Sequence, residues 1–181
     1  MEKEYLNLRE LIQNNLQVPE IQKTLELIEK LKDVKQKGFF TKEQFYEVAI
    51  WKSPRPKKHY LNNSEEEIIA LSKQALSANS EYKQMLCLTA LNGVSIAVAS
   101  SLLTIINPKD YGIIDIRVWQ LLYLYKEVKT NPKGQGFEIE DYENYLQILR
   151  NYAKEFNLKV RDIERILFFY HKKIQEGNLY N

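Results

Sequence analysis

Apolar residues recur every three or four positions along nearly the whole chain, the period of a helix with one buried face. A first helical region covers about Tyr5 to Leu16. A second follows Pro19, with Ile21, Leu25, Ile28 and Leu31 on one face, and ends near Gly38. Thr41-Lys42-Glu43-Gln44 has the form of a capping box and opens a helix through Phe45, Val48, Ala49 and Trp51. The prolines of Ser53-Pro54-Arg55-Pro56 stop it, because the residue before a proline avoids helical backbone. Ser64-Glu65-Glu66-Glu67 is a second capping box, ahead of Ile68, Ile69, Leu71 and Leu76. Ser80 caps a helix from Tyr82 to Leu91, Asn92-Gly93 breaks it, and another runs from Ser95 to Ile106. Asp115 caps a helix through Val118, Leu121, Leu122 and Leu124. Residues 130–136 read as a loop. Two helices close the chain, one with Tyr142, Tyr145, Leu146, Leu149, Tyr152 and Phe156, the other with Ile163, Ile166, Leu167, Tyr170 and Ile174. The tyrosine stripes read as packing, not as a platform for stacked bases. The fold class is therefore all-α.

Composition narrows the classes. The 181 residues are 44% hydrophobic and 28% charged, which is enough for a real core and unlike a disordered chain. The net charge of +2 gives no bulk attraction to nucleic acid, so any basic surface has to be local. The single cysteine, Cys87, excludes an internal disulfide, a four-cysteine cluster and a multi-cysteine zinc site, and reads as a buried small hydrophobe. His59 and His171 stand alone, without a second histidine or cysteine at metal spacing, so no metal and no cofactor is expected. The charged start Met1-Glu2-Lys3-Glu4 lacks the apolar core of a secretion signal, and no run of about 18 apolar residues occurs. These features predict a cytoplasmic monomer with no membrane partner.

The chemically informative stretch is Leu91 to Leu103. Two helices meet at a turn of hydrophobic-x-Gly-hydrophobic-small form, Leu91-Asn92-Gly93-Val94-Ser95. Glycine permits positive φ and a close backbone approach, and the N–H groups that open the second helix form an anion site suited to a phosphate. The plain alternative is an ordinary helical corner with glycine as C-cap. Asp115 lies 22 positions after Gly93, within Ile113-Ile114-Asp115-Ile116-Arg117-Val118-Trp119.

Turn, spacing and context together resemble the helix-hairpin-helix superfamily of DNA base-excision glycosylases, and Trp119 is most similar to their 8-oxoguanine branch. The specific likeness covers about Leu91 to Leu122. It implies a two-layer helical DNA glycosylase-like fold: residues 40–112 as a bundle carrying the hairpin, and 1–39 with 113–181 as the second layer, a cleft lying between them. It implies that Asp115 is the catalytic carboxylate, in addition to being an N-cap. It implies double-stranded DNA with a flipped base as partner. Asn92, Gly93, Val94 and Ser95 then hold a phosphate. Arg117 either does the same, where the branch usually has histidine, or is a solvated surface arginine. The segment Trp51 to Tyr60 carries Lys52, Arg55, Lys57 and Lys58 without an acid. With Trp119 it is a candidate DNA clamp or base pocket; otherwise it is a solvated charge run with Trp51 in the core. The cluster Arg161, Arg165, His171, Lys172 and Lys173 reads as helix surface.

One departure decides the expected chemistry. Bifunctional members have a lysine four positions after the hairpin glycine, and here that residue is Ala97, with Lys83 and Lys109 the nearest lysines along the chain. The Schiff-base nucleophile is missing from its place. The expectation is a monofunctional glycosylase acting on a damaged base, an oxidised purine being the candidate. The alternatives are a non-catalytic DNA-binding protein on the same scaffold and a helical interaction protein with no nucleic-acid role.

Overall fold

The computed structural model describes residues 3–177 and 179; Met1 and Glu2 of the charged start, and residues 178, 180 and 181 of the expected second layer, lie outside them. Among the described residues there are eleven helices and no strand. The first half holds α1 (Leu8–Asn14), α2 (Gln22–Lys30), α3 (Val34–Lys37), α4 (Lys42–Lys52), α5 (Lys57–Leu61) and α6 (Glu65–Ser77). The second holds α7 (Glu81–Thr89), α8 (Ile96–Ile106), α9 (Ile116–Leu124), α10 (Ile139–Phe156) and α11 (Val160–Ile174).

The caps explain most of the boundaries. Thr41 and Ser64 each form a reciprocal capping box, Ser80 and Ser95 each accept from an amide three residues on, and Asp115 accepts from the Arg117 N–H. Gly38 ends α3 with φ of 81°. The proline-rich segment after α4 is not all loop, since residues from Lys57 form the single turn of α5.

Helix α8 is the hub. Every residue from Val98 to Ile105 is buried, so it is enclosed on all sides. α2, α4, α7 and α10 pack against it, α6 packs on α7, and α11 packs on α1, α9 and α10. One continuous apolar core runs through both groups of helices. Two local expectations fail. On α2 the buried face is Thr24 and Leu27, continued by Leu31, while Ile21 and Leu25 are exposed and Ile28 is half-buried. The side of α2 that lies on α8 thus includes a threonine, which apolar spacing could not select. Cys87 is half-buried rather than buried.

Candidate functional site

Asp115 sits in a cleft of about 490 Å³ walled by the start of α2, the end of α4, the segment before α9, and α11. That segment, Gly112 to Ile114, is stapled from three sides. The Tyr142 hydroxyl donates to the Gly112 carbonyl and the Tyr145 hydroxyl to the Ile113 carbonyl (2.7 Å). The Ile114 N–H donates to Ser100 Oγ on α8 (3.2 Å), and the Ile113 N–H to Glu164 Oε2 on α11 (3.4 Å). An extended stretch with buried amides needs such partners. Here they fix the backbone from which Asp115 projects.

The Asp115 carboxylate uses both oxygens. Oδ1 accepts from the Arg117 N–H at 3.0 Å, and Oδ2 accepts from Lys52 Nζ at 2.9 Å. The two charged side chains are only 22% and 18% exposed. Burial pushes the Asp115 pKa up, but the Lys52 ammonium and the helix-capping amide outweigh it and hold the carboxyl below its ordinary range. Asp115 is therefore an anion at neutral pH. Glu164, on the same cleft, moves the other way: burial raises its pKa, against the opposing pull of Arg161. Arg161 in turn pairs with both Glu164 and Glu20. Arg165 donates to Glu20, Asp162 and the Val18 carbonyl. These charges are retained out of water only because each is paired.

The hairpin turn has another character. Asn63, itself buried, clamps it by accepting from the Asn92 N–H (2.7 Å) and donating to the Asn92 carbonyl (3.1 Å). Gly93 has φ of 81° and is exposed, with Asn92 and Ser95, whereas Val94 is turned into the core. The N–H groups of Gly93, Ser95, Ile96 and Ala97 have no hydrogen-bond partner among the described residues. Turn and cleft share one support. The end of α4 puts Lys52 against Asp115, and the corner after it puts His59 and Tyr60 against Gly93.

Several expected site residues stand elsewhere than the sequence suggested. Trp119 is wholly buried, donates from Nε1 to the Asn131 carbonyl and packs on Phe137, so it can touch neither DNA nor a base. Arg117 is half-buried and donates to Gln175 and His171 while lying over the Phe168 ring, which makes it part of the α9–α11 contact. Arg161, Arg165 and His171 are buried, not surface groups, whereas Lys172 and Lys173 are exposed. Trp51 lies at the cleft, half-buried, with Lys52. Arg55, Lys57 and Lys58 are exposed on the same corner. Among the described residues no cluster of histidine, cysteine and carboxylate side chains fits a metal, and no helix is long and apolar enough to cross a membrane. Sequence reasoning missed Thr24, Glu20 and Glu164. Glu20 lies ahead of α2, outside any helix, and carried no signal; Glu164 is an acid on an otherwise apolar helical face, which spacing alone does not distinguish from a solvated one.

Comparison with protein-family models, with curated proteins and with solved structures gave no match.

Proposed function

We propose that the protein is a DNA base-excision glycosylase-like enzyme that hydrolyses the N-glycosidic bond of a damaged base, an oxidised purine being the candidate, with Asp115 as the catalytic carboxylate. The observation that carries this reading is an ionised, largely buried carboxylate fixed at a helix N-terminus in a cleft. As the bond to the base breaks, positive charge develops on the sugar. A fixed anion beneath it stabilises that charge and orients the attacking water, which gives its hydroxyl to C1′ and its proton to the carboxylate or the departing base. In the free protein that anion is paired with the Lys52 ammonium. The open N–H groups of Gly93, Ser95, Ile96 and Ala97, with exposed Arg55, Lys57 and Lys58, supply phosphate contacts on the strand.

Lys52 also supports a second reading of the sugar's fate. Ala97 removes the hairpin lysine, but the fold brings another primary amine to 2.9 Å from Asp115. If water is the nucleophile, the product is an intact abasic site cut only by alkali or heat. If Lys52, once deprotonated, attacks C1′ instead, the base leaves with one amine proton; the C1′–O4′ bond then breaks, its oxygen taking the other, and the imine so formed is reduced by borohydride to a stable protein–DNA adduct. The adduct, and its loss in Lys52→Ala, separate the two.

The decisive experiment is a screen of duplexes that each carry one lesion. Release of a base from at least one of them supports the proposal. Inertness on all, with salt-dependent duplex binding, favours a non-catalytic DNA-binding protein. Absence of duplex binding leaves a helical interaction protein.

A further inference from the structure

The cleft contains a buried polar group that the glycosidic chemistry does not use. Thr24, on the buried face of α2, is 1% exposed and lines the cleft, and its hydroxyl has no hydrogen-bond partner among the described residues. A threonine within a helix ordinarily returns its hydroxyl to a carbonyl three or four residues back. Here it does not, although buried hydroxyls are nearly always satisfied. Of the charged groups around it, Lys52 holds Asp115 and the two arginines hold Glu20, Asp162 and Glu164, while Lys23 stands exposed at the cleft's edge. Glu164 commits Oε2 to the Ile113 N–H and Arg161, while Oε1 makes no hydrogen bond among the described residues. Phe168 and Phe169, in T-shaped contact, and Trp51 add aromatic surface to the same cleft.

We infer that Thr24 is a specificity-determining residue, its hydroxyl pairing with the polar edge of a flat heterocycle that the aromatic side chains enclose. The free Glu164 oxygen is an acceptor and the Thr24 hydroxyl can accept as well as donate, so the favoured ligand presents N–H donors to them: a purine with an exocyclic amino group rather than one without. This rests on the base-excision reading of the cleft. It makes α2, which carries no sequence motif, the reader of the base, while Asp115 acts on the sugar.

The test uses the full chain and three duplexes, identical except at one position, which holds 2-aminopurine, unsubstituted purine, or a tetrahydrofuran abasic analogue. The wild type is expected to bind the 2-aminopurine duplex most tightly, with the fluorescence rise of an unstacked base. Thr24→Val, nearly isosteric, is expected to weaken that binding about tenfold, the worth of one buried hydrogen bond. It should leave the tetrahydrofuran duplex within about twofold, and Thr24→Ser should restore the preference. The melting temperature of Thr24→Val should hold or rise, because a methyl replaces an unpaired hydroxyl. Equal binding of all three duplexes by Thr24→Val and wild type, equal weakening on all three, or a marked fall in melting temperature would each overturn the assignment. If the wild type binds no duplex at all, the base-excision reading itself fails and takes the inference with it.

Discussion

The hairpin turn and the Asp115 cleft lie on one structural corner, yet they are built by opposite means. The turn is backbone: a glycine at positive φ, an asparagine clamp and open amides, with no charged side chain. The cleft is side chain: an ion pair spanning 63 positions of sequence, a buried network from Glu20 to Glu164, and two tyrosines that staple the strand-like segment. Backbone devices tolerate changes of charge and fail when volume is added. Charge devices tolerate modest changes of volume and fail when one partner is removed.

The largest effect should follow from breaking the cleft's network. Among the described residues, Arg161→Ala strips from Glu164 its one arginine partner and from Glu20 one of two. Uncompensated buried charge costs about 3–5 kcal/mol, which calorimetry should show as a melting temperature lower by roughly 10 °C. A fall of a degree or two would mean that solvent already reaches these groups.

Acid should sharpen the contrast next. His171 is fully buried between Gln120 and Arg117, and burial together with the Arg117 charge lowers its pKa to about 4. The unfolded chain takes up this proton near pH 6.5 and the folded chain does not. Stability is therefore intact above pH 6.5 and declines as the pH falls towards 4, by up to about 3 kcal/mol at 1.4 kcal/mol per pKa unit. Denaturant titrations between pH 7 and 4 should show that slope in the wild type and lose it in His171→Phe. An identical slope in both would place its origin elsewhere.

A smaller loss is expected at the turn. By sequence Gly93 reads as a point of close backbone approach to a phosphate. A Cβ there instead meets His59 Cβ at 2.8 Å and Tyr60 at 3.1 Å, within the protein's own corner. Gly93→Val should cost about 2–3 kcal/mol, from positive-φ strain and the collision. Duplex affinity should fall through a displaced corner. Removing charge at the same corner, as in Lys57→Ala, should change affinity with no change in melting temperature.

What was legible in the sequence follows the same division. Local signals, namely the capping boxes at Thr41 and Ser64, the N-caps at Ser80 and Asp115 and the break at Gly93, marked the helix starts and the turn, because each depends on neighbours within a few residues. The partner of Asp115 was not legible. Nothing near position 115 selects Lys52 among the chain's lysines, and the proline-rich segment after it hid α5. The α2 face was misread for a related reason: Ile21 and Leu25 match helical spacing, but α8 packs on the side that carries Thr24 and Leu27. Trp119 shows the reverse error, a residue assigned a function through likeness that burial assigns to the core.

The central claim is that Asp115 does chemistry beyond capping α9, and its most direct test is Asp115→Asn. Asparagine keeps the shape and can still accept from the Arg117 N–H, so the fold should stand. On a lesion duplex that the wild type processes, single-turnover base release per folded molecule should fall by orders of magnitude, because the lost charge meets a cation present only near the transition state. Duplex affinity should hold or rise slightly. An unchanged rate, or loss of stability alone, would contradict the account and leave Asp115 as a helix cap paired with a lysine.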